Sequence, residues 1–225
     1  MKVLMVRYLL ITLAVVVGFF AVKYALANLH YLKVDAYLTR WQQSKDLTRE
    51  ELNDALMASN SMLNLHGHHP HYLNVAAKVY EWQAFKYQQD LTVYQSSLQQ
   101  ALRLYQQATI SREQWPLTWA SMANVKSKMG LLDNDFYIYL DKAITYGPYM
   151  QEVNLQVAKL FLTHWGRMQQ GTTKIGLEQI RRALLNNKAR YDLLKYATSI
   201  EKQNIVCTVG RLNKIDWVAK QWACK

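Results

Sequence analysis

The sequence has few residues that interrupt helices. Its 225 residues include only three prolines and eight glycines, which argues against long disordered or collagen-like segments. Stretches that alternate apolar and polar residues are also scarce, whereas apolar residues recur at i, i+3, i+4 and i+7 almost everywhere after residue 48. The 51% apolar content is ample for a packed core. We therefore predict an all-α protein.

The sequence also lacks the motifs of the common enzyme classes. It contains no G-x-S-x-G elbow, P-loop, G-x-G-x-x-G, H-E-x-x-H or zinc-type C-x-x-C. Two acidic pairs, Glu50-Glu51 and Asp133-x-Asp135, have the residue types of a glycosidase. Both pairs stand at predicted helix starts, where carboxylates stabilise the helix dipole. We therefore expect a protein that is not an enzyme and has no catalytic residue, metal or cofactor.

Cysteine is almost absent, since only Cys207 and Cys224 occur. We expect one at each end of a predicted helix from about Arg211 to Trp222. A disulfide between them would contribute roughly 3 kcal/mol by loop closure and would fit an oxidising compartment. Two unrelated buried thiols are the alternative, and metal binding by two cysteines without neighbouring histidines is disfavoured.

Acidic residues are outnumbered, 16 against 27 Lys and Arg, and the excess lies near the C-terminus. Residues 167–225 hold twelve basic residues against four acidic ones. A basic surface in this region would suit anionic lipid headgroups, an acidic glycan or an acidic partner protein. No nucleic-acid recognition motif accompanies it, so nucleic acid is not an expected partner.

One long apolar run stands near the N-terminus. Tyr8–Val22 carries no charge, and with the Lys23 side chain reaching toward the interface the span extends to Leu29, close to the ~20 residues that cross a membrane. Residues 1–29 are thus predicted to be a membrane anchor or a signal sequence cleaved after Ala27. Either would export the rest of the chain, although the flanking positive charges nearly balance. Residues 30–47 are predicted to form a juxtamembrane helix or linker.

The remaining residues, 48–225, show the pattern of paired helices. Thr48 and Glu51 form a capping box, and a hairpin runs from Pro116 to Pro148 with a turn at Gly130. Its thirty-two-residue spacing approaches the thirty-four residues of a tetratricopeptide repeat. We predict a tetratricopeptide-like, right-handed stack of antiparallel hairpins that ends in a C-terminal cap.

Four histidines interrupt this pattern in the sequence LHGHHPHY, at positions 66, 68, 69 and 71. Imidazole is a common metal ligand, but adjacent side chains in a short turn diverge, and no carboxylate or cysteine lies near. An exposed capping turn is favoured, and a metal site or a pH-responsive loop are the alternatives.

Two sets of residues are candidates for binding. A partner-protein surface is predicted on the first helices of the repeats, around Tyr80, Trp119, Lys126 and Gln151. The alternative is direct binding of an anionic glycan by the basic C-terminal region, through Arg181, Arg182, Lys188 and Arg190.

The order of these segments resembles a family of exopolysaccharide-biosynthesis accessory proteins, the VpsP family. The similarity lies in an N-terminal membrane segment, a late cysteine at Cys207, and the stretches HPHYLNVAAKVYEWQAF (69–85), LQQALRLYQQATISREQWPLTWASMANVKSKMG (98–130) and FYIYLDKAITYGPYMQEV (136–153). Phe136 departs from the repeat consensus, which has Ala there, and the first repeat carries a long insertion.

This resemblance implies an inner-membrane protein of a Gram-negative exopolysaccharide locus, with no catalytic residues. From the N-terminal apolar segment we expect a single pass, with most of the chain in the periplasm. Its expected role is that of a non-catalytic scaffold that binds other proteins of a polysaccharide assembly or export system.

Overall fold

The computed structural model describes residues 2–224, and side chains from Leu4 onward. About 80% of the chain is helical, and the described residues contain no strand. The predicted all-α class is therefore confirmed. The chain divides into two compact units, residues 1–113 and 114–225.

Residues 2–113, the described part of the first unit, contain four helices. They are α1 (Lys2–Ser44), α2 (Arg49–His66), α3 (Pro70–Lys86) and α4 (Leu91–Ser111). Helix α1 packs against α2 and α3, and α3 packs against α4. The domain boundaries that the sequence suggested at residues 29 and 47 both fall within this unit.

Helix α1 has two halves with different surroundings. All residues from Leu4 to Val22 are exposed, and this helix is long and apolar enough to span a membrane. Beyond this segment, one face of the helix is buried, and we call its buried residues the seam of α1. They are at most 3% exposed: Ala27, Val34, Leu38 and Trp41. The segment predicted as a juxtamembrane helix or linker is thus a continuation of α1, because its apolar face packs against α2 and α3.

A capping box starts α2, as predicted. The Thr48 hydroxyl accepts from the Glu51 backbone N–H at 3.1 Å, and the Glu51 carboxylate accepts from the Thr48 N–H at 3.1 Å. The same carboxylate accepts from the indole of Trp41 and pairs with Arg40. The Thr48 backbone donor and the indole N–H hold the pKa of Glu51 below its ordinary value. Glu51 thereby joins the start of α2 to the end of α1.

In the second unit, residues 114–224 are described and contain seven helices and a 3₁₀ turn at their end. They are α5 (Pro116–Lys128), α6 (Asn134–Tyr146), α7 (Gln151–Thr163), α8 (Thr173–Leu185), α9 (Ala189–Ser199), α10 (Gln203–Leu212), α11 (Asp216–Ala219) and the 3₁₀ turn Trp222–Cys224. Helix α5 packs against α6 and α7, and α7 packs against α8 and α9.

The α5–α6 hairpin has the predicted ends. Pro116 occupies the first turn of α5, where its missing N–H costs no hydrogen bond. Gly130 adopts a φ of 76°, and its N–H donates to the Ser127 carbonyl while Leu131 donates to the Lys126 carbonyl. These two bonds form a Schellman motif. The Asp133 carboxylate then accepts from the Phe136 N–H and caps α6.

Two glycines allow close packing in the second unit. A Cβ on Gly176 of α8 would lie 2.0 Å from the Phe161 ring of α7, and a Cβ on Gly210 of α10 would lie 2.4 Å from Val218 of α11. Both distances are far below any van der Waals contact. The glycines therefore set the approach of α8 to α7 and of α11 to α10.

The predicted C-terminal helix from Arg211 to Trp222 is wrong. Helix α10 begins earlier, at Gln203, and ends at Leu212. Lys214 adopts a φ of 54°, and the N–H groups of Lys214 and Ile215 donate to the carbonyls of Arg211 and Gly210. This left-handed turn closes α10, so Val218 can fold back onto Gly210.

The two cysteines are bonded to each other. Cys207 lies inside α10 and Cys224 in the terminal 3₁₀ turn, with a Cα–Cα distance of 5.4 Å. They are 2% and 6% exposed and belong to the core formed by α7, α8, α9 and α10. The bond therefore joins the last residues of the chain to the core of the second unit.

Removal of this bond should loosen the second unit. We expect the Cys207→Ala/Cys224→Ala variant to lose roughly 3 kcal/mol, because the unfolded chain regains the entropy of the 17-residue loop. Chemical unfolding followed by circular dichroism measures the loss. Wild-type protein unfolded in reductant should match the variant, and equal stability with and without reductant would contradict the expectation.

Candidate functional site

The four residues predicted to bind a partner protein lie in different surroundings. Tyr80 is half-buried on α3 of the first unit, and the other three belong to the second unit. Gln151 is the half-buried first residue of α7, whereas Trp119 and Lys126 of α5 are each only 6% exposed. Little of either buried side chain reaches solvent, because this face of α5 packs against its neighbours.

Trp119 and Lys126 make specific contacts inside the second unit. The centroid of the Trp119 ring lies 5.8 Å from that of the Tyr139 ring. The Lys142 ammonium lies 4.3 Å from the centroid of the Trp119 ring. The Lys126 ammonium lies 2.5 Å from Asp133 and 3.3 Å from Asp135. These contacts give both residues a role in joining α5 to α6. A role for them in partner binding stays a prediction.

Burial and ion pairing act in opposite directions on Lys126. Burial by itself would lower the pKa of its ammonium group, but hydrogen bonds to Asp133 and Asp135 outweigh it and raise this pKa. The pKa of Asp133 is correspondingly lowered, since its Lys126 and Phe136 donors outweigh burial. Lys126 is thus held in its charged form at the α5–α6 turn.

A groove lies between α8 and α10 in the second unit. Its volume is about 820 Å³, within the range of ligand sites. Its apolar side chains come from both helices and from the residues after α7: Trp165, Leu177, Ile205, Val209 and Leu212. Leu212 is 78% exposed. The groove therefore presents an apolar surface to solvent, which we call the α8–α10 groove.

Charged side chains lie along the α8 side of this groove. Lys174, Glu178, Arg181 and Arg182 all line it. Arg181 donates two hydrogen bonds to the Glu178 carboxylate, each of 2.7 Å, and Arg182 donates one of 2.7 Å. Arg182 also donates to the Pro148 carbonyl. One carboxylate is thus shared by two guanidinium groups, and the α8 side keeps an excess of positive charge.

These contacts strongly favour the ionised form of Glu178. The hydrogen bonds from Arg181, and then those from Arg182, lower the pKa of Glu178 to about 2 against the partial burial that would raise it. Both arginines are therefore partly neutralised, and an anion in the groove would compete with Glu178 for them.

The other two residues predicted for glycan binding do not line the groove. Lys188 is exposed before α9, where its backbone N–H donates to the Asn186 side chain. The Arg190 guanidinium lies 4.9 Å from the Trp217 ring and 5.4 Å from the Tyr191 ring. The structure thus groups Arg181 with Arg182 but gives Lys188 and Arg190 different neighbours.

A serine and a histidine meet in a smaller cavity of about 360 Å³. The Ser127 hydroxyl lies 2.7 Å from Nε2 of His164. The His164 residue is 6% exposed. Burial, and then the charge of Arg167, lowers the pKa of this histidine. Nδ1 of His164 has no hydrogen-bond partner within residues 2–224, so the third group that orients the base of a nucleophilic pair is missing. We therefore assign no catalytic role to the Ser127–His164 pair.

The histidine turn is packed against tyrosines. His66 stacks on Tyr24 with 4.4 Å between ring centroids, and His69 lies at the same distance from Tyr72. Across residues 2–224, no group of three His, Cys, Asp or Glu side chains could hold a metal ion.

The sequence interpretation missed the α10 side of the groove. Ile205, Val209 and Leu212 have the i, i+4, i+7 spacing of one helix face. That spacing was the available signal, but the predicted helix began at Arg211 and so separated these residues. The Ser127–His164 contact had no local signal, because 37 residues separate the pair.

Comparison with known proteins gives no family assignment: no protein-family model matches the chain, and no curated protein matches it.

The acid stability of the second unit should depend on Glu178. The folded-state pKa of about 2 lies below the ordinary 4.5, so the stabilisation is present above about pH 4.5 and is lost as the pH falls toward 2. We expect the free energy of unfolding of Glu178→Gln to fall less over this interval than that of the wild type. Urea unfolding at several pH values measures this free energy for both proteins.

Glu152→Gln provides the control, because it removes an exposed carboxylate from the same unit. Its stability should follow the wild-type pH dependence. Parallel curves for Glu178→Gln and the wild type would show that the arginine contacts do not stabilise the folded state.

Proposed function

We propose that this chain is a non-catalytic, membrane-anchored scaffold whose second unit binds a segment of a partner protein in the α8–α10 groove. The observation that carries the proposal is the combination of an exposed apolar surface with flanking cations. In a water-exposed unit, such a surface favours a partner that presents apolar side chains together with carboxylates.

The helix arrangement supports a tetratricopeptide-like stack. Helix α5 begins at Pro116 and α7 at Gln151, a spacing of 35 residues, close to the thirty-four-residue repeat. In this arrangement each first helix packs against its own second helix and against the next first helix, and α5 has both kinds of neighbour in α6 and α7. Repeat proteins of this type bind partners through extended surfaces.

The first unit supports an anchor that stays attached. Ala27, the residue before the candidate cleavage site, is 0% exposed and lies in the buried seam of α1. Cleavage there would remove the start of this seam. The Cys207–Cys224 bond fits an oxidising compartment. We therefore propose one membrane pass, in a bacterial inner membrane, with the folded units in the periplasm.

The polysaccharide assembly role rests on the resemblance of the sequence to the exopolysaccharide accessory family. Under this proposal the partners are other proteins of the assembly or export system. The groove favours a protein segment over a linear polyanion, because Glu178 already occupies both of its arginines and its remaining lining is mainly apolar.

A charge placed in the groove should abolish partner binding. Leu212→Glu puts a carboxylate at a 78% exposed position, so the fold should tolerate it while the apolar contact is lost. Chemical cross-linking in intact membranes and quantitative co-purification measure the loss. Leu185→Glu is the matched control, because Leu185 is also exposed, at 59%, but does not line the groove.

Equal recovery of partners with both variants would reject the groove as the binding site. Salt-sensitive retention of the wild type on an acidic polysaccharide column would instead support glycan binding. That retention should be lost in Arg181→Gln/Arg182→Gln and kept in Leu212→Glu.

Membrane topology is tested separately. An alkaline phosphatase fusion after Thr48 should be active, because this enzyme requires the oxidising periplasm, and a cytoplasmic reporter fused there should be inactive. N-terminal sequencing of the membrane-bound protein should give a start that precedes the apolar segment of α1. The reverse reporter pattern would overturn the periplasmic location, and a start after Ala27 would overturn the retained anchor.

A further inference from the structure

The exposed segment of α1 indicates how far the first unit lies from the membrane that the proposed anchor crosses. From Leu4 to Val22 every residue is exposed, and at ~1.5 Å per residue this segment is about 28 Å long, close to the ~30 Å of a hydrocarbon core. Among the side chains described from Leu4 onward, Lys23 is the first that is partly buried and Ala27 the first that is fully buried. Under the proposed anchor, a hydrocarbon core that begins near Leu4 ends near residue 23, where Lys23 is the first charged side chain after Arg7. This boundary lies closer to the N-terminus than the Leu29 predicted from the sequence.

The turn between α2 and α3 meets α1 at this boundary. The His66 ring stacks on Tyr24 at 4.4 Å, only two residues, or about 3 Å along the helix axis, beyond Val22. The Tyr72 hydroxyl lies 3.5 Å from the Asn28 side-chain oxygen, and Tyr31 lies 5.0 Å from His71. These contacts fix the position of the turn along α1.

Exposed polar side chains limit how deeply the turn enters the membrane. Asn64, in the last turn of α2, and His68 and His71 are exposed. Each would have to give up its water if it entered the hydrocarbon, at a cost of several kcal/mol for an unpaired polar group. The turn thus lies outside the hydrocarbon but next to it, in the layer that lipid headgroups occupy.

We propose that the α2–α3 turn, residues 66–71, is a membrane-docking surface that lies in the headgroup layer and donates imidazole hydrogen bonds to lipid phosphate groups. The inference rests on the proposed membrane anchor. It adds a second contact with the bilayer, made by the folded part of the first unit.

The composition of the turn suits this layer. Tyrosine and histidine have an apolar ring with a polar edge, the property that places aromatic residues at membrane interfaces. A neutral imidazole has one N–H donor, and a phosphate oxygen accepts it. The ring contacts of His66 and His69 with Tyr24 and Tyr72 hold the turn in place, which leaves His68 and His71 exposed to lipid.

The surrounding charges favour an anion. Burial lowers the pKa of His71, and so do the positive charges of Lys78 and Arg112, while Asp35 acts in the opposite direction. The pKa of His69 is likewise lowered, first by burial and then by the positive charges of His66, His71 and Arg112. The positive charges of Lys78 and Arg112 act on the turn, and a phosphate placed there is stabilised by their potential.

Site-directed spin labelling in vesicles of phosphatidylethanolamine and phosphatidylglycerol tests the position of the turn. Single labels are placed through Val15→Cys in the exposed segment of α1, His68→Cys in the turn, and Gln89→Cys. Gln89 is exposed beyond the other end of α3, about 25 Å from the turn along that 17-residue helix. The relative collision rates with oxygen and with a water-soluble nickel chelate report depth.

We expect hydrocarbon depth at position 15, headgroup depth at 68 and full water access at 89. If position 15 is deep but 68 has the same water access as 89, the docking surface is overturned and the anchor stands. If position 15 is itself water-exposed, the proposed anchor fails and the inference fails with it.

The phosphate contact has its own measurement. Protein with ¹⁵N-labelled histidine is placed in the same vesicles, and solid-state NMR measures the dipolar coupling between imidazole ¹⁵N and lipid ³¹P. We expect coupled signals that disappear in His68→Ala/His71→Ala but persist in His164→Ala, which changes a buried histidine of the second unit. Absence of coupling in the wild type would overturn the phosphate contact.

Discussion

The buried seam of α1 is the packing interaction on which the first unit depends. Ala27, Val34, Leu38 and Trp41 are at most 3% exposed, while the same helix exposes every residue from 4 to 22. A continuous helix joins the two parts, so the apolar segment and the folded unit cannot move independently without breaking backbone hydrogen bonds. The seam is reinforced by polar contacts at its edge, where Asp54 accepts from Lys33 at 2.8 Å and from Tyr37 at 2.6 Å.

In the second unit, the shape of the groove follows from close helix contacts. Gly176 lets α8 approach the Phe161 ring, and Gly210 lets Val218 pack on α10. The Cys207–Cys224 bond fixes the end of the chain on the same core. With α8 and α10 held in this way, apolar residues from both helices line one cavity. The proposed binding surface is thus a consequence of how the core packs.

Local signals in the sequence predicted much of the fold. The capping box at Thr48, the proline at the start of α5 and the glycine at the α5–α6 turn each act through backbone groups a few residues away. The candidate site was less predictable. Arg181 and Arg182 were selected by charge, but their shared partner Glu178 and the apolar α10 side of the groove became apparent only from packing. The face of α5 that holds Trp119 and Lys126 was assigned to a partner, whereas both side chains are buried.

The sequence by itself determined the all-α class, the apolar N-terminal segment, the capping box of α2, the ends of the α5–α6 hairpin and the two cysteines available for a bond. These features depend on composition, periodicity and interactions between near neighbours along the chain. Tertiary structure alone decided that α1 continues into the first unit, that α10 ends at Leu212, and that the histidine turn stacks on Tyr24. The first and the last depend on contacts between residues distant in sequence, whose free energy is set by the burial of both partners and cannot be read from either segment alone. The end of α10 depends on the left-handed turn at Lys214 and on the packing of Val218 against Gly210.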